Sequence, residues 1–261
     1  METEKNTNNN IKDVDLIGFD LDGTLAESKT TLDQEMSGLL CRLLHKKNIV
    51  IASGASFDQF ENQFLSHFLC EKDCYKNLYL LPTNGATLYE YADKAKFVYK
   101  HELTPEKIKL IFSAFDKALT ETGYGNPSKI YGTLIEDRKT QVTFSGLGSK
   151  APLSEKSVWD PDFAKRKKIV EILRPLLPDF SIGMGGVSSI DVTENGVDKA
   201  YGMDRLMVHL DIPKERTLYV GDALFPGGND SSVLRLGIGT HEVGGVNDTK
   251  SLIRSWLSEL E

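Results

Sequence analysis

Cysteine is scarce in this chain of 261 residues. It has three, Cys41, Cys70 and Cys74, an odd number without C-x-x-C spacing. Cys70 and Cys74 are near neighbours, but no histidine or further cysteine pair completes a zinc set in sequence. All three are expected to be reduced thiols of a cytoplasmic protein. The five histidines show no ligand spacing either, so none is a candidate metal ligand. No apolar run reaches the ~18 residues that a membrane span needs. Basic residues number 31 against 38 acidic, a net charge of −7 without a basic stripe, which argues against nucleic acid and anionic membrane as partners. Residues 1–10 are polar, ending in an Asn run, and lack the apolar core of a signal peptide. They are expected to form a frayed tail. Internal repeats are absent.

What is present is an ordinary globular composition, 40% hydrophobic and 26% charged, in a chain long enough for one large domain or two smaller ones. The most informative stretch is Leu16-Ile17-Gly18-Phe19-Asp20-Leu21-Asp22-Gly23-Thr24-Leu25. Two carboxylates stand two residues apart at the end of a strand that reads as buried on both faces. Burying such acids costs several kcal/mol unless a cation or strong donors compensate. The chemistry that uses them is phosphoryl transfer, with Asp20 as nucleophile and Asp22 as general acid and base. Gly23 permits a sharp turn, and Thr24 offers a hydroxyl to a phosphoryl group. Asp and Gly as plain turn formers are the alternative reading of this stretch alone.

Downstream, an amphipathic helix is expected over 31–47, a strand over 49–52 ending at Ser53-Gly54, a helix over 56–69 and a strand over 77–81. Strands alternating with helices imply right-handed crossovers and a parallel sheet. Ligands on such sheets bind beyond the C-terminal strand ends, where Asp20, Asp22 and Ser53 fall. The pattern changes over 86–187 to strands at 86–91, 97–100, 133–137, 141–145 and 179–183, with helices at 105–122 and 162–177. This reads as an inserted α+β module. The strand–helix alternation then resumes, with a helix opened by Lys199, a strand at 217–220 ending in Gly221-Asp222, and a final helix over 249–260. The expected architecture is α/β, a Rossmann-like core of 11–85 and 188–261 interrupted by an α+β cap of 86–187.

Asp20-Leu21-Asp22-Gly23-Thr24, Ser53 after a strand, Lys199 at a helix start, and Gly221-Asp222 with Asn229-Asp230 occur in that order. This resembles the haloacid dehalogenase superfamily of phosphotransferases across all four of its motifs, with the insertion placed as in its type-2B capped members. The resemblance covers about 14–257. It implies a Mg²⁺-dependent enzyme with Asp20, the backbone carbonyl of Asp22, and Asp222 as metal ligands. Thr24, Ser53 and Lys199 then serve the phosphoryl group, with Asn229 and Asp230 orienting Lys199 or metal-bound water. The roles are physically sensible: a divalent cation removes the repulsion between an attacking carboxylate and a phosphoryl group, and Mg²⁺ prefers oxygen ligands.

Gly221–Asp230, with its Pro-Gly-Gly-Asn-Asp, and Gly185-Gly186-Val187-Ser188-Ser189-Ile190-Asp191-Val192 resemble the phosphomannomutase branch. That similarity implies sugar contacts at Ser189 and Asp191 and a cap phosphate contact at Arg138. Two further cap arginines of that branch are missing, Tyr131 and Ser149 standing in their places, with Lys129, Lys139 and Lys150 nearby. Each lost guanidinium contact removes a charge-assisted hydrogen bond worth about 1.5–3 kcal/mol. A mutase must retain a distal phosphate, so the expectation is a phosphohydrolase acting on a sugar phosphate or similar small ester, with a hexose phosphate mutase as the alternative. A non-catalytic phospholigand-binding protein would have no need of Asp20 and Asp22, and both are present. A homodimer through the cap is a further expectation.

Overall fold

The computed structural model describes residues 10–28, 30–92, 94–124 and 127–261. The expected N-terminal tail falls, except for Asn10, outside the described residues.

The core is a seven-stranded sheet. In chain order its strands are β1 (Leu16–Asp20), β2 (Asn48–Ala52), β3 (Leu78–Leu81), β4 (Thr87–Tyr91), β5 (Ala95–Lys100), β10 (Thr217–Gly221) and β11 (Gly239–Glu242). Their spatial order is β11-β10-β1-β2-β3-β4-β5. The first five are parallel, as the crossover pattern predicts. Every residue of β1 and β10 is buried, which explains why these strands read as unbroken apolar runs rather than alternating ones. One face is covered by α1 (Gln34–Leu44) and the C-terminal helix α7 (Val246–Leu260), whose Leu40, Leu43, Ile253 and Trp256 join Ile17 and Phe19. The other carries α6 (Lys199–Leu210), where Met203 and Leu206 meet Leu16, Val50 and Tyr219.

A second, four-stranded sheet has the order β6-β7-β9-β8. It consists of β6 (Ile135–Asp137), β7 (Val142–Ser145), β8 (Phe180–Gly185) and β9 (Ser189–Glu194). Two helices, α3 (Pro105–Thr122) and α5 (Ala164–Leu176), back it through Ile111, Phe115, Ile169 and Leu173. The short α2 (Phe57–Phe60) runs on into a wider π-type turn, and α4 (Leu153–Trp159) is a cap helix that the sequence pattern did not suggest.

Both expected cap boundaries shift. The strands at 87–91 and 95–100 belong to the core sheet, because β4 pairs antiparallel with β3 and β5 with β4. A hairpin needs no crossover, so it can extend the free edge of β3 directly. At the other end, β9 is a central strand of the cap sheet, between β7 and β8, rather than a return to the core. Its Ile190 and Val192 are buried against the cap helices.

The cysteine expectation is also corrected. Cys41 and Cys70 form a disulfide, their Cα atoms 5.2 Å apart, and only Cys74 is a free thiol. Cys41 lies on α1 and Cys70 ahead of β3, so a fold contact joins residues that sequence spacing could not pair. No helix among the described residues is long and apolar enough to cross a membrane.

Candidate active site

Strand β1 sits between β10 and β2, where the sheet order reverses direction, so the loops leaving their C-terminal ends are neighbours. Those loops carry Asp20-Asp22, Ser53 and Asp222. Gly23 has φ +88°, and a Cβ there would come within 2.3 Å of Asp222 Oδ2, so the turn after Asp22 is open only to glycine.

Asp20 is 1% exposed. Its Oδ1 accepts from Lys199 Nζ, while its Oδ2 is buried and accepts from no described residue. Lys199, itself fully buried at the first turn of α6, also donates to Asp230 Oδ1 at 2.7 Å. Asp230 is fixed further by the Tyr219 hydroxyl at 2.7 Å and the Ala223 amide at 3.2 Å. Burial alone would depress the Lys199 ammonium, but Asp20 and Asp230 outweigh it and hold its pKa up. Burial raises Asp20 well above the ordinary carboxylate range, Lys199 opposing and the Asp230 and Asp222 charges adding to the rise. Asp222, likewise pushed up chiefly by burial and then by Asp230, reaches about 6.

The carboxylates of Asp20, Asp222 and Asp230 lie within 4.8 Å of one another. Three acids facing one lysine leave surplus negative charge in a buried place. That surplus and the unpartnered Asp20 Oδ2 are the conditions a divalent cation relieves, so the residues fit such an ion. The convergent third carboxylate is Asp230, not that of Asp22; Asp22 was expected to contribute its backbone carbonyl. The Asp22 side chain instead accepts from Gln63 Nε2 at 2.9 Å.

These groups open onto a pocket between the two sheets, lined by Asp20, Asp22 and Ser53 from the core and by Arg138, Ser189 and Asp191 from the cap. Alternation along β7 and β9 produces the cap wall. Val142, Phe144, Ile190 and Val192 face the helices, leaving Thr143, Ser189 and Asp191 on the pocket side. Thr143 Oγ1 donates to Asp191 Oδ1 at 2.8 Å. Ser53 Oγ accepts from the Ala55 amide at 3.1 Å, which leaves its hydroxyl hydrogen for a ligand. Asn229 also lines the pocket, whereas its neighbour Asp230 lies behind Lys199.

Thr24 departs from expectation. It is fully buried, does not line the pocket, and its Oγ1 has no partner among the described residues. Arg138 does reach the pocket, but its guanidinium is engaged by the Gly54 carbonyl at 2.8 Å and by Glu136 at 2.8 Å. Tyr131 is spent on Glu155, and Lys139 pairs with Asp137 at 3.1 Å.

Cap and core meet at two places beside this pocket. Gly54 O accepts from both Arg138 and Gln141. Three successive residues, Thr83, Asn84 and Gly85, have φ of +50°, +54° and +81°. Thr83 in that region is a strained conformation for a β-branched residue. Its hydroxyl accepts from Thr140 at 2.8 Å, and Asn84 Nδ2 donates to Gln141 Oε1 at 2.7 Å. A Cβ on Gly85 would lie 2.7 Å from the Asp198 carbonyl, so this strained turn packs directly on the start of α6.

Sequence reasoning missed Gln63, Gln59 and Tyr219. Gln59 and Gln63 are one helical turn apart on the segment after Ser53, a spacing that offered a signal, but glutamines on a helix read as a solvated face. Tyr219 lies inside an apolar strand and gave none.

A family model described as haloacid dehalogenase-like hydrolase matches residues 17–236. A phosphomannomutase of Saccharomyces cerevisiae is 29% identical over 224 residues, covering 84% of each chain. Phosphomannomutase 1 of Homo sapiens is 27% identical over 222 residues, 82% of this chain and 81% of the relative. Among solved structures, IMP-bound IMP-nucleotidase of Plasmodium falciparum superposes with a TM-score of 0.73 at 18% identity, over 94% of this chain and 67% of that one. A haloacid dehalogenase-like hydrolase from Bacteroides thetaiotaomicron gives 0.61 at 16% identity, over 93% and 99%. The chain belongs to the haloacid dehalogenase-like hydrolases, in their phosphomannomutase-like branch, and is an enzyme of the phosphatase and phosphotransferase type.

Proposed function

We propose that this enzyme is a Mg²⁺-dependent phosphohydrolase of sugar phosphates or similar small esters, working through an aspartyl-phosphate on Asp20. The observation that carries the reading is the state of Asp20, with one oxygen pinned by Lys199 and the other buried without a partner at the pocket floor. A carboxylate so held is oriented for attack and costs nothing in rotamer freedom when phosphorus arrives.

Asp20 attacks phosphorus, and the bond from phosphorus to the ester oxygen breaks. Asp22 in its acid form hands a proton to the departing oxygen. The resulting Asp22 carboxylate then takes a proton from water, whose oxygen attacks the same phosphorus. The phosphorus–Asp20 bond breaks, releasing inorganic phosphate and restoring Asp20. Gln63 donates to Asp22 Oδ1 at 2.9 Å and so orients the carboxyl that makes both transfers. Ser53 donates to a phosphoryl oxygen, and Lys199 balances the charge on Asp20. Asp20, the Asp22 carbonyl and Asp222 are the groups to hold Mg²⁺, which when bound neutralises charge between carboxylate and phosphoryl group. Ser189 and Asp191 face the pocket as sugar hydroxyl partners.

The mutase reading has its own support in the phosphomannomutase relatives, which match over 82–94% of this chain. In that case a sugar hydroxyl, rather than water, takes the phosphoryl group from Asp20. Hydrolysis is favoured because Arg138 is the one arginine of the distal set and is already engaged by Glu136 and Gly54. Phosphorus NMR with Mg²⁺, mannose 1-phosphate and a trace of hexose 1,6-bisphosphate separates the two. Inorganic phosphate without isomerisation supports the phosphohydrolase, and transfer to the 6-position establishes the mutase.

A further inference from the structure

At the end of the sheet away from the active site, four potential metal ligands converge. Cys41 and His45 are one helical turn apart at the C-terminal end of α1, and Cys70 and Glu71 lie on the segment leading into β3. Because α1 feeds the start of β2 while Ser53 follows its end, the five-residue strand separates the two regions by about 16 Å, at ~3.3 Å per residue.

Glu71 Oε2 is central to the group. It lies 3.1 Å from Cys41 Sγ, 3.5 Å from Cys70 Sγ and 2.9 Å from His45 Nε2. One ligand atom from each of Cys41, His45, Cys70 and Glu71 falls within 4.8 Å of all the others. Ligands of tetrahedral zinc, bonded at about 2.0–2.3 Å, stand roughly 3.3–3.8 Å apart, so small side-chain adjustments suffice. Zinc ligands of this kind need their imidazole held by a group on the other ring nitrogen. Cys74 Sγ lies nearest that nitrogen, 3.0 Å from His45 Nδ1 and 3.3 Å from Nε2, beside the ring.

The geometry points to a structural zinc site formed by Cys41, His45, Cys70 and Glu71 in the reduced protein. The Cys41–Cys70 disulfide is the alternative, metal-free state of the same residues. A dithiol reductant supplies the two electrons and two protons that open the sulfur–sulfur bond and departs as its own disulfide. Zn²⁺ then replaces the two thiol protons, which pass to solvent. Either state ties α1 to the segment before β3, by a covalent bond in one and by the ion in the other.

The test uses the full chain, reduced without oxygen and cleared of reductant, with Co²⁺ as optical probe and Zn²⁺ competed against a chelating dye. One Co²⁺ per chain should give a thiolate charge-transfer band together with the intense visible bands of tetrahedral coordination. Cobalt at the oxygen ligands of Asp20 and Asp222 produces no thiolate band, so the two sites are distinguishable. Reoxidation should expel one equivalent of metal. Cys70→Ser and His45→Ala should weaken zinc binding by more than about 100-fold, and Cys74→Ser by the roughly 10-fold typical of an outer partner. Circular dichroism checks that each variant is folded, and hydrolysis of a small aryl phosphate should be unchanged. Absence of the thiolate band in reduced wild-type protein overturns the proposal. So does equal zinc affinity in the oxidised and reduced forms.

Discussion

Arg138 Nη1 donates to the carbonyl of Gly54 at 2.8 Å, joining the cap to the residue that follows Ser53. The contact couples cap position to the phosphate-facing loop. Arg138→Ala should lower kcat/KM for a sugar phosphate by about 10- to 100-fold, the loss of one charge-assisted hydrogen bond. Hydrolysis of a small aryl phosphate, too small to need the cap, should change far less. Steady-state kinetics with both substrates checks this, and equal losses on both would refute a role in cap closure.

Asp20→Asn preserves shape but removes the nucleophile. It should abolish phosphoryl transfer with a circular dichroism spectrum like that of wild type. Asp22→Asn should slow turnover by about 10²–10⁴-fold, the usual contribution of a general acid. Acid-quench labelling with a phosphorus-32 ester is the direct check on Asp20, since label should stay on wild-type protein and be missing from the Asn variant.

Lys199 is the buried counter-charge for both Asp20 and Asp230. Lys199→Met should therefore cost stability as well as activity, about 3–5 kcal/mol, because removing one member leaves carboxylates buried without compensation. Urea unfolding measures it. A loss under ~1 kcal/mol would show that the acids are neutral in the folded protein.

Glu194, where the chain leaves the cap sheet, is bound by Lys107 at 2.6 Å and His101 at 2.9 Å. The Lys107 and then the His101 hydrogen bond hold its carboxyl below the ordinary 4.5. The folded state thus binds its proton less readily than the unfolded chain. The resulting stability is complete above pH 4.5 and fades as pH falls through the lower, folded value. The site is largely solvated, so the difference between wild type and Glu194→Gln should be below about 1 kcal/mol at pH 7 and vanish in more acid solution. Thermal unfolding across pH gives the answer.

Much of the site was legible because phosphate chemistry demands charged residues in places where charge is costly. Asp20, Lys199 and Asp222 stand at the ends of apolar strands or at a helix start, and the fold brings them together. Ser189 and Asp191 were reached only through the resemblance of 185–192 to the phosphomannomutase branch, and the fold places both on the pocket side of β9. What escaped the sequence depended on pairing between distant segments. Antiparallel addition of β4 to β3 leaves no crossover signature, and β9 carries the same apolar alternation whichever sheet it joins. Nor could spacing show that Cys41 on α1 would face Cys70 rather than Cys74. Gln63 and Tyr219 bear ordinary polar groups whose role exists only through Asp22 and Asp230.

The hairpin added to β3 also moves the sheet's open margin outward to β5. That strand reads Ala95-Lys96-Phe97-Val98-Tyr99-Lys100, with Phe97 47% exposed against Tyr89. An unpaired strand with exposed aromatic surface is a template on which another chain can assemble. Lys96 and Lys100, both on this strand, pair with Glu90 at 3.4 Å and with Glu102, so the margin carries charged pairs where a copy would arrive edge to edge. Edge-to-edge stacking along this margin would bury those charged pairs, a cost that disfavours it.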